Sequence, residues 1–335
     1  APTGVVMARN AAIRRVRKPM AASPKAIAAA TRIRMAPKVE ALLEALLTAL
    51  RQVHLAAGRD RARIVAQRCR RLYSGMLDFL ERVRPAEDET RANVIDGFAA
   101  AIYKQGEQAN LLEDYRAAAE HFLRVKRLAP TSSIRSAAEY DAAAALMKLE
   151  DWSNASDVLE EFRASHPEHE LNREATKQLA YIYREDGQTA RSAAEHERIA
   201  AEATDPELGR EALLTAAELY DEVPVIDEAV RVYEQYVDLY PRPLDIAMET
   251  RNRLSEIYHE QMDYQRYFDE LNEMIDEDRN AGSDRTDRSR FLASKAALVL
   301  AERQYEQFAR IELTQPFEQS LALKQTSMDD TLATL

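Results

Sequence analysis

Residues 99–130 read AAAIYKQGEQANLLEDYRAAAEHFLRVKRLAP, and this pattern recurs with substitutions in five repeats. The repeats begin at Ala99, Ser136, Arg173, Arg210 and Met248, in steps of 37 or 38 residues. A period of this length is typical of a helix pair that cannot bury its apolar face alone and therefore stacks on its neighbours. The sequence predicts an all-α solenoid of stacked antiparallel helix pairs.

Residue size and helix breakers set the register of the repeats. The eighth position is small in all of them: Gly106, Ala143, Ala180, Ala217 and Ser255. A larger side chain there would push apart the two helices of a pair where they cross most closely. Prolines recur near the ends of four repeats: Pro130, Pro167, Pro206 and Pro241. Since proline has no N–H, we expect these residues to stop the second helix of each pair.

This arrangement of small, large and breaker positions resembles the tetratricopeptide repeat (TPR), and the resemblance covers a little over half of the chain. It implies a TPR-like α-solenoid that coils into a right-handed superhelix. The concave face of such an array is lined by the first helix of each pair and binds proteins or peptides. The resemblance therefore implies a protein-interaction scaffold.

A narrower resemblance involves the runs Ala100 to Ala109, His121 to Val125 and Ala138 to Ala143. They are similar to the C-terminal part of large TPR proteins of the proteobacterial cell envelope, which are associated with Tol/Exb-type or gliding-motility-type motor complexes. That resemblance implies a periplasmic or envelope-associated scaffold without cofactors or enzymatic activity. Further repeats follow in that family, and the chain begins at Ala1 without a methionine, so we expect it to be a fragment.

Composition supports a helical chain and excludes some kinds of site. Only 8 of the 335 residues are glycine and 12 are proline, which favours helix. Cys69 is the single cysteine, so an intramolecular disulfide and a multi-cysteine zinc site are excluded. A free thiol is more typical of the cytosol than of an oxidising periplasm, which leaves a cytoplasmic location open. No apolar run is long enough to predict a membrane span.

Charge is distributed unevenly along the chain. Residues 1–84 contain 18 Lys and Arg against 5 Asp and Glu, a net charge of +13. Because the whole chain carries −11, residues 85–335 carry −24. Such asymmetry predicts either a basic arm on an acidic body or head-to-tail self-association that weakens as salt is raised.

The basic segment divides into two parts. Residues 1–38 contain no acidic residue and four prolines, so we expect an irregular arm. This arm could bind nucleic acid or an anionic membrane, although it lacks the aromatic residues that stack on bases, so nucleic acid is not favoured. In residues 39–84 apolar residues recur at helical spacing on both sides of Gly58. We expect this part to be an atypical helical cap on the first repeat.

The five repeats are expected to occupy residues 85–284, and a different pair follows. Asn280 to Asp284 is a break, after which Ser289 to Glu312 reads as one helix. The residues expected to face inward are Ala293, Ala296, Ala297, Leu300 and Tyr305. Pro316 begins a second helix reaching Leu335. We interpret residues 285–335 as a lengthened sixth helix pair, cut short.

The TPR resemblance also predicts which residues line the binding groove, from the positions that family uses on its first helices. They are Tyr103, Glu107, Asn110, Tyr140, Met147, Lys177, Tyr181, Arg184, Glu211, Glu218, Asp221, Asn252, Glu256 and His259. The early repeats offer Tyr and Met surfaces for an apolar anchor, whereas the last two present mostly carboxylates, which would attract a basic segment. The alternative is that these positions are simply solvated and a partner uses a convex or edge surface.

Chemistry-bearing motifs are few. His166, Glu168, His169 and Glu170 form a metal-like cluster in a connection between repeats, but no further ligand lies nearby in sequence, so we expect no metal. His196 occupies a packing position, so a core or half-buried histidine is favoured over a general base. No phosphate loop, nucleophile elbow or zinc-protease motif occurs. We expect no enzymatic activity; in the remaining alternative, a catalytic part would lie outside this chain.

Overall fold

The computed structural model describes residues 88–334, together with the isolated positions 67, 71, 74 and 75. The predicted basic arm lies outside the described residues, as does nearly all of the predicted cap, including Cys69. Within residues 88–334 the chain forms α-helices joined by short connections, with one 3-10 turn and no strand.

Twelve α-helices follow one another in this part of the chain. They are α1 Asp88–Leu111, α2 Tyr115–Leu128, α3 Arg135–Lys148, α4 Trp152–Ser165, α5 Asn172–Glu185, α6 Thr189–Glu202, α7 Pro206–Asp221, α8 Ile226–Leu239, α9 Leu244–Glu260, α10 Tyr264–Asn280, α11 Asp287–Arg310 and α12 Phe317–Thr334. Odd-numbered helices are the first members of pairs and even-numbered helices the second. The connection within each of the first five pairs is too short for anything but an antiparallel turn. The predicted all-α, TPR-like solenoid fold is confirmed.

The helices belong to two compact units. The N-terminal unit extends to Ala175 and the C-terminal unit begins at Thr176, both within α5. In the C-terminal unit one core surrounds α7 and α8 and includes Tyr220, Tyr233 and Tyr236. A second core, which includes Met248 and Leu271, joins α9 and α10 to α11.

The small eighth position has the expected structural role. A Cβ atom added to Gly106 would lie 2.5 Å from the ring of Phe122, so only glycine allows α1 and α2 to cross there. The other four members of the set are buried. The small side chain of Ala180 also keeps its backbone carbonyl accessible, and the Ser192 hydroxyl donates a hydrogen bond to that oxygen at 2.8 Å. The size pattern was therefore a reliable guide to the register.

A left-handed residue ends the first helix in four of the five repeats. The fifteenth position adopts this conformation at Glu113, Glu150, Gly187 and Met262, with φ values of 61°, 57°, 73° and 59°. The next N–H then reaches a carbonyl five residues back, as between Asp151 and Leu146 at 3.0 Å. The fourth repeat has Pro224 at this position, and its turn is different because proline cannot adopt positive φ.

The prolines behave as expected with one exception. Pro130, Pro167 and Pro241 each lie two residues beyond the end of a second helix. The expectation for Pro206 was wrong: α6 ends at Glu202, and Pro206 is the first residue of α7. A first-turn position suits proline because its missing N–H has no partner there. Asp205 caps the same helix by accepting the Glu207 N–H at 3.1 Å.

The last pair is longer than the others, since α11 has 24 residues whereas α9 has 17. Ala293, Ala296 and Leu300 are buried and Ala297 is half-buried. The inward placement of Tyr305 was wrong, because its side chain is 61% exposed. The last buried residue of α11 is Ala301, so the helix continues past the core that the preceding pair supplies.

Candidate functional site

In the N-terminal unit, Tyr103 is not an accessible groove residue. It is only 3% exposed, and its hydroxyl donates to Asp141 of α3, the first helix of the next pair. The predicted role of Tyr103 as an apolar anchor is therefore corrected to a contact between repeats. Glu107 is half-buried and pairs with Lys104, and Asn110 is half-buried near the end of α1.

The other predicted groove residues of this unit are partly covered. Tyr140 is half-buried, and its ring packs edge-on to Phe162 with 6.2 Å between ring centroids. Met147 is half-buried near the end of α3. The apolar surface that the sequence suggested for the early repeats is consequently smaller than the residue types implied.

In the C-terminal unit most of the predicted residues are accessible. Those exposed are Lys177, Arg184, Glu211, Glu218 and His259. Those half-buried are Tyr181, Asp221, Asn252 and Glu256. These residues form a row of polar side chains on α5, α7 and α9.

Ion pairs connect this row between successive first helices. Arg184 Nη2 lies 3.1 Å from Glu222 Oε1, and Arg253 contacts both carboxylate oxygens of Asp221, at 2.6 and 2.8 Å. Farther along the unit, Arg288 of α11 pairs with Glu249 of α9. Sequence reasoning treated these carboxylates as open charges. It named Arg184 without its partner and did not name Arg253 or Arg288. The signal was present, because Arg184 and Glu222 are one repeat apart.

A cavity of about 190 Å³ opens between α9, α10 and α11. Its apolar wall is formed by Leu271, Met274, Ala296 and Val299, and its polar wall by Asn252, Ser255, Glu256, His259, Glu260, Tyr267 and Lys295. Three predicted groove residues, Asn252, Glu256 and His259, therefore come together here. Ser255 and Glu260 of the lining also belong to α9, whereas the remaining lining residues come from α10 and α11. The residues from α10 and α11 were not predicted as groove residues.

The polar wall of the cavity is held by exchangeable contacts. Lys295 Nζ lies 3.1 Å from Asn252 Oδ1 and 3.4 Å from Glu256 Oε1. The Glu256 and Glu260 side chains are 43% and 64% exposed, so water competes for their charges. Burial, followed by the Glu256 charge, raises the pKa of Tyr267, which keeps its phenol neutral.

This combination suits one kind of ligand group. The apolar wall can hold a short aliphatic chain, while the carboxylates at the rim can accept a cationic head. The His259 and Tyr267 rings, with centroids 5.0 Å apart, add flat surfaces beside the carboxylates. A lysine or arginine side chain has both an aliphatic body and a cationic head.

His166, His169 and His196 lie outside the cavity, among packing and ion-pair contacts. His166 Nε2 lies 3.0 Å from Glu139 Oε2, and Arg135 Nε donates to the other oxygen at 2.9 Å. The His166 and His169 rings both pack against Phe162. Within residues 88–334 no three His, Cys, Asp or Glu side chains are grouped to hold a metal ion. Burial, followed by the Arg184 charge, lowers the pKa of His196 to about 4.

No helix in the described part of the chain combines the length and the apolar character that a membrane crossing needs.

Comparisons with known proteins are limited to the fold. No protein-family model and no curated protein matches this chain. Among solved structures, the nearly identical TPR-like repeats of a Podosopora anserina kinesin light chain are 15% identical, with a TM-score of 0.34 over 63% of this chain and 98% of that one. Naa15/Naa10 bound to HypK-THB is 15% identical, with a TM-score of 0.43 over 80% of this chain and 41% of that chain.

A third solved structure extends over more of the sequence. NprR in complex with its cognate peptide NprX is 15% identical, with a TM-score of 0.28 over 87% of this chain and 92% of that one. At such identities a likeness concerns fold and not activity. The function must therefore be argued from the residues of the chain itself.

Proposed function

We propose that this protein is a non-enzymatic interaction scaffold that binds a segment of another protein on the first-helix face of its C-terminal unit. The observation that carries the proposal is the cavity between α9, α10 and α11, which joins an apolar wall to two exposed carboxylates. The segment it suits is amphipathic and basic.

The charge of the C-terminal unit supports a basic partner. Residues 176–335 contain 34 Asp and Glu against 18 Lys and Arg, a net charge of −16. Such a field speeds the approach of a cationic segment and disfavours an acidic one. The Lys295–Glu256 pair at the cavity does not prevent binding, since exposed pairs contribute less than about 1 kcal/mol and can exchange partners.

A peptide titration tests this proposal on the full chain. The probe is a fluorescent amphipathic leucine–lysine peptide, and the comparison peptide has glutamate in place of every lysine. We expect anisotropy to report binding of the lysine peptide alone, with affinity that falls as salt is raised. The variant Glu256→Gln/Glu260→Gln should weaken binding about tenfold, which corresponds to about 1.4 kcal/mol.

A matched variant separates the cavity from net charge. Glu202→Gln/Glu207→Gln removes two exposed carboxylates of the same unit, at the α6–α7 connection, and should bind almost as the wild type does. If both variants weaken peptide binding equally, the peptide is held by nonspecific electrostatic attraction and not by the cavity. Binding of the glutamate peptide that is lost on deleting residues 1–38 would instead favour the basic arm.

We also propose, from the sequence resemblance, that the scaffold serves a bacterial envelope complex. Osmotic-shock fractionation of a proteobacterial host that produces the protein from its own gene would test the compartment. Release with the periplasmic markers supports this proposal, and retention with the cytosolic markers contradicts it.

A further inference from the structure

The cavity between α9, α10 and α11 already holds one cationic side chain. Lys295 of α11 is among the residues that line it, and its Nζ atom lies 3.1 Å from Asn252 Oδ1 and 3.4 Å from Glu256 Oε1. A lysine side chain combines an aliphatic stem with an ammonium head. The proposed function assigns the same kind of group to the ligand, so Lys295 and the ligand would use the same carboxylate.

The acceptor positions of Glu256 are largely taken. Its Oε1 atom accepts from Asn252 Nδ2 at 2.9 Å and from Lys295, while its Oε2 atom lies 3.5 Å from Arg253 Nη1. A carboxylate oxygen has room for about two donors. A further ammonium can therefore bind Glu256 Oε1 only when one of the present donors leaves.

The two cations beside Glu256 differ in how firmly they are held. Arg253 is fixed by both oxygens of Asp221, at 2.6 and 2.8 Å. The Lys295 side chain is 50% exposed, and its ammonium contacts Asn252 and Glu256 at the cavity itself. Because the lysine stem is flexible and an exposed pair is weak, Lys295 is the cation that can turn into solvent.

We propose that Lys295 is an internal competitor, which occupies the cation position of the cavity until a basic segment displaces it. In the free protein the Lys295 ammonium covers Glu256. In the complex a lysine of the partner takes that position, and Lys295 turns into solvent. The cavity therefore binds a basic segment less tightly than its carboxylates alone would allow. This inference rests on the proposed function, since it concerns the same cavity and the same ligand group.

Titration of the full-length Lys295→Met variant with the leucine–lysine peptide measures this competition. Methionine keeps an apolar side chain in the cavity wall and removes the ammonium. We expect the peptide to bind the variant about three- to fivefold more tightly than the wild type, a modest gain because exposed lysine–carboxylate pairs are weak. Lys295→Arg keeps a cation at this position and should bind the peptide no more tightly than the wild type does.

The salt dependence of binding gives a second measure of displacement. In the wild type one ion pair breaks as another forms, whereas in Lys295→Met the peptide makes a pair without breaking one. The affinity of the variant should therefore fall more steeply than that of the wild type as salt is raised. A change in packing alone would alter the affinity and leave this slope unchanged.

Two controls separate displacement from a change in net charge. Arg290→Met removes a cation from the same helix, where Arg290 is exposed, pairs with Asp287 and lies outside the cavity lining. This variant should bind the peptide almost as the wild type does. Glu256→Gln removes the charge for which the two ammonium groups compete. In that background Lys295→Met should give little gain, and a double-mutant cycle reports the difference as a coupling between the two residues.

Some outcomes would overturn the inference. They are binding by Lys295→Met that is no tighter than that of the wild type, an equal gain from Arg290→Met, and an undiminished gain from Lys295→Met in the Glu256→Gln background. If the wild type binds the peptide through the cavity and Lys295→Met has no effect, this inference fails and the proposed function stands. If neither the wild type nor Lys295→Met binds the peptide, both fail.

Discussion

The N-terminal and C-terminal units solve the same packing problem with different chemistry. In both, the first helix of one pair must be fixed against the first helix of the next. The N-terminal unit uses a buried phenol against a carboxylate, Tyr103 with Asp141. The C-terminal unit uses an ion pair, in which Arg253 contacts both oxygens of Asp221 at 2.6 and 2.8 Å. The repeat therefore determines where the contact lies, whereas the partner of the carboxylate can be a neutral phenol or a charged arginine.

This difference gives the two contacts different responses to pH. Burial raises the pKa of Asp141 from 3.8 to about 6; the Tyr103 hydrogen bond opposes the shift and the Glu107 charge adds to it. In the C-terminal unit, the hydrogen bond to Asp221 is the main cause that raises the pKa of Arg253 above its ordinary value. Arginine is already charged at every accessible pH, so the raised pKa leaves the charge of Arg253 unchanged, whereas the raised pKa of Asp141 makes the N-terminal contact depend on pH between 3.8 and about 6.

Breaking the ion pair should have the largest effect. Arg253→Met keeps most of the aliphatic stem but removes the cation from Asp221, whose side chain is only 15% exposed. We expect the free energy of unfolding to fall by roughly 2–3 kcal/mol, because a mostly buried carboxylate loses its partner. The midpoint of urea unfolding, followed by circular dichroism, measures this change.

The matched control is a pair that is exposed on both sides. Arg288→Met removes the partner of Glu249 where the two side chains are 49% and 45% exposed. Such a pair contributes less than about 1 kcal/mol. Equal losses in the Arg253 and Arg288 variants would contradict the view that burial, and not charge pairing as such, distinguishes the two contacts.

Neutralising Asp141 should have a smaller and opposite effect. Asp141→Asn keeps an oxygen that accepts from Tyr103 but removes the buried charge. Since each pKa unit corresponds to about 1.4 kcal/mol, we expect a gain of about 1–2 kcal/mol above pH 6 and none below pH 4. Urea midpoints at several pH values report the difference between the variant and the wild type.

The sign of this effect follows from proton binding. Between pH 3.8 and about 6, the folded chain keeps the Asp141 proton that the unfolded chain has lost. The wild-type free energy of unfolding should therefore fall as pH rises through that window and level off above it. Asp157→Asn, at an exposed position of α4, is the control. A gain that is the same at every pH would argue against titration of Asp141.

The sequence predicted the backbone better than the side-chain partners. Small residues such as Gly106 follow from the geometry of helix crossing, which any one repeat displays, so the register could be predicted correctly. The hydrogen-bond partner of Tyr103 could not be predicted, because Asp141 belongs to the next repeat. The same holds for the cavity, where Lys295 of α11, in the following pair, lies beside the predicted Glu256. A prediction made from the pattern of a single repeat cannot identify contacts between repeats.

The turns that end the first helices allow the backbones of the two units to be compared. Substitutions at these turns should have the smallest effect on the free energy of unfolding. In the N-terminal unit Glu150 adopts φ 57°, whereas Gly187 fills the equivalent position of the C-terminal unit at φ 73°. A left-handed conformation costs a residue with a Cβ about 1–2 kcal/mol, part of which glycine loses again as entropy in the unfolded chain. Glu150→Gly should therefore raise the free energy of unfolding by about 0.5–1 kcal/mol, measured by urea unfolding.

Gly187→Ala is the reverse substitution, and space does not limit it, because no atom lies within 4 Å of a Cβ built there. If Gly187→Ala lowers the free energy of unfolding by a similar amount, the two units share one turn conformation and differ only in how well the residue fits it. If neither variant changes the free energy of unfolding, the turn relaxes without cost.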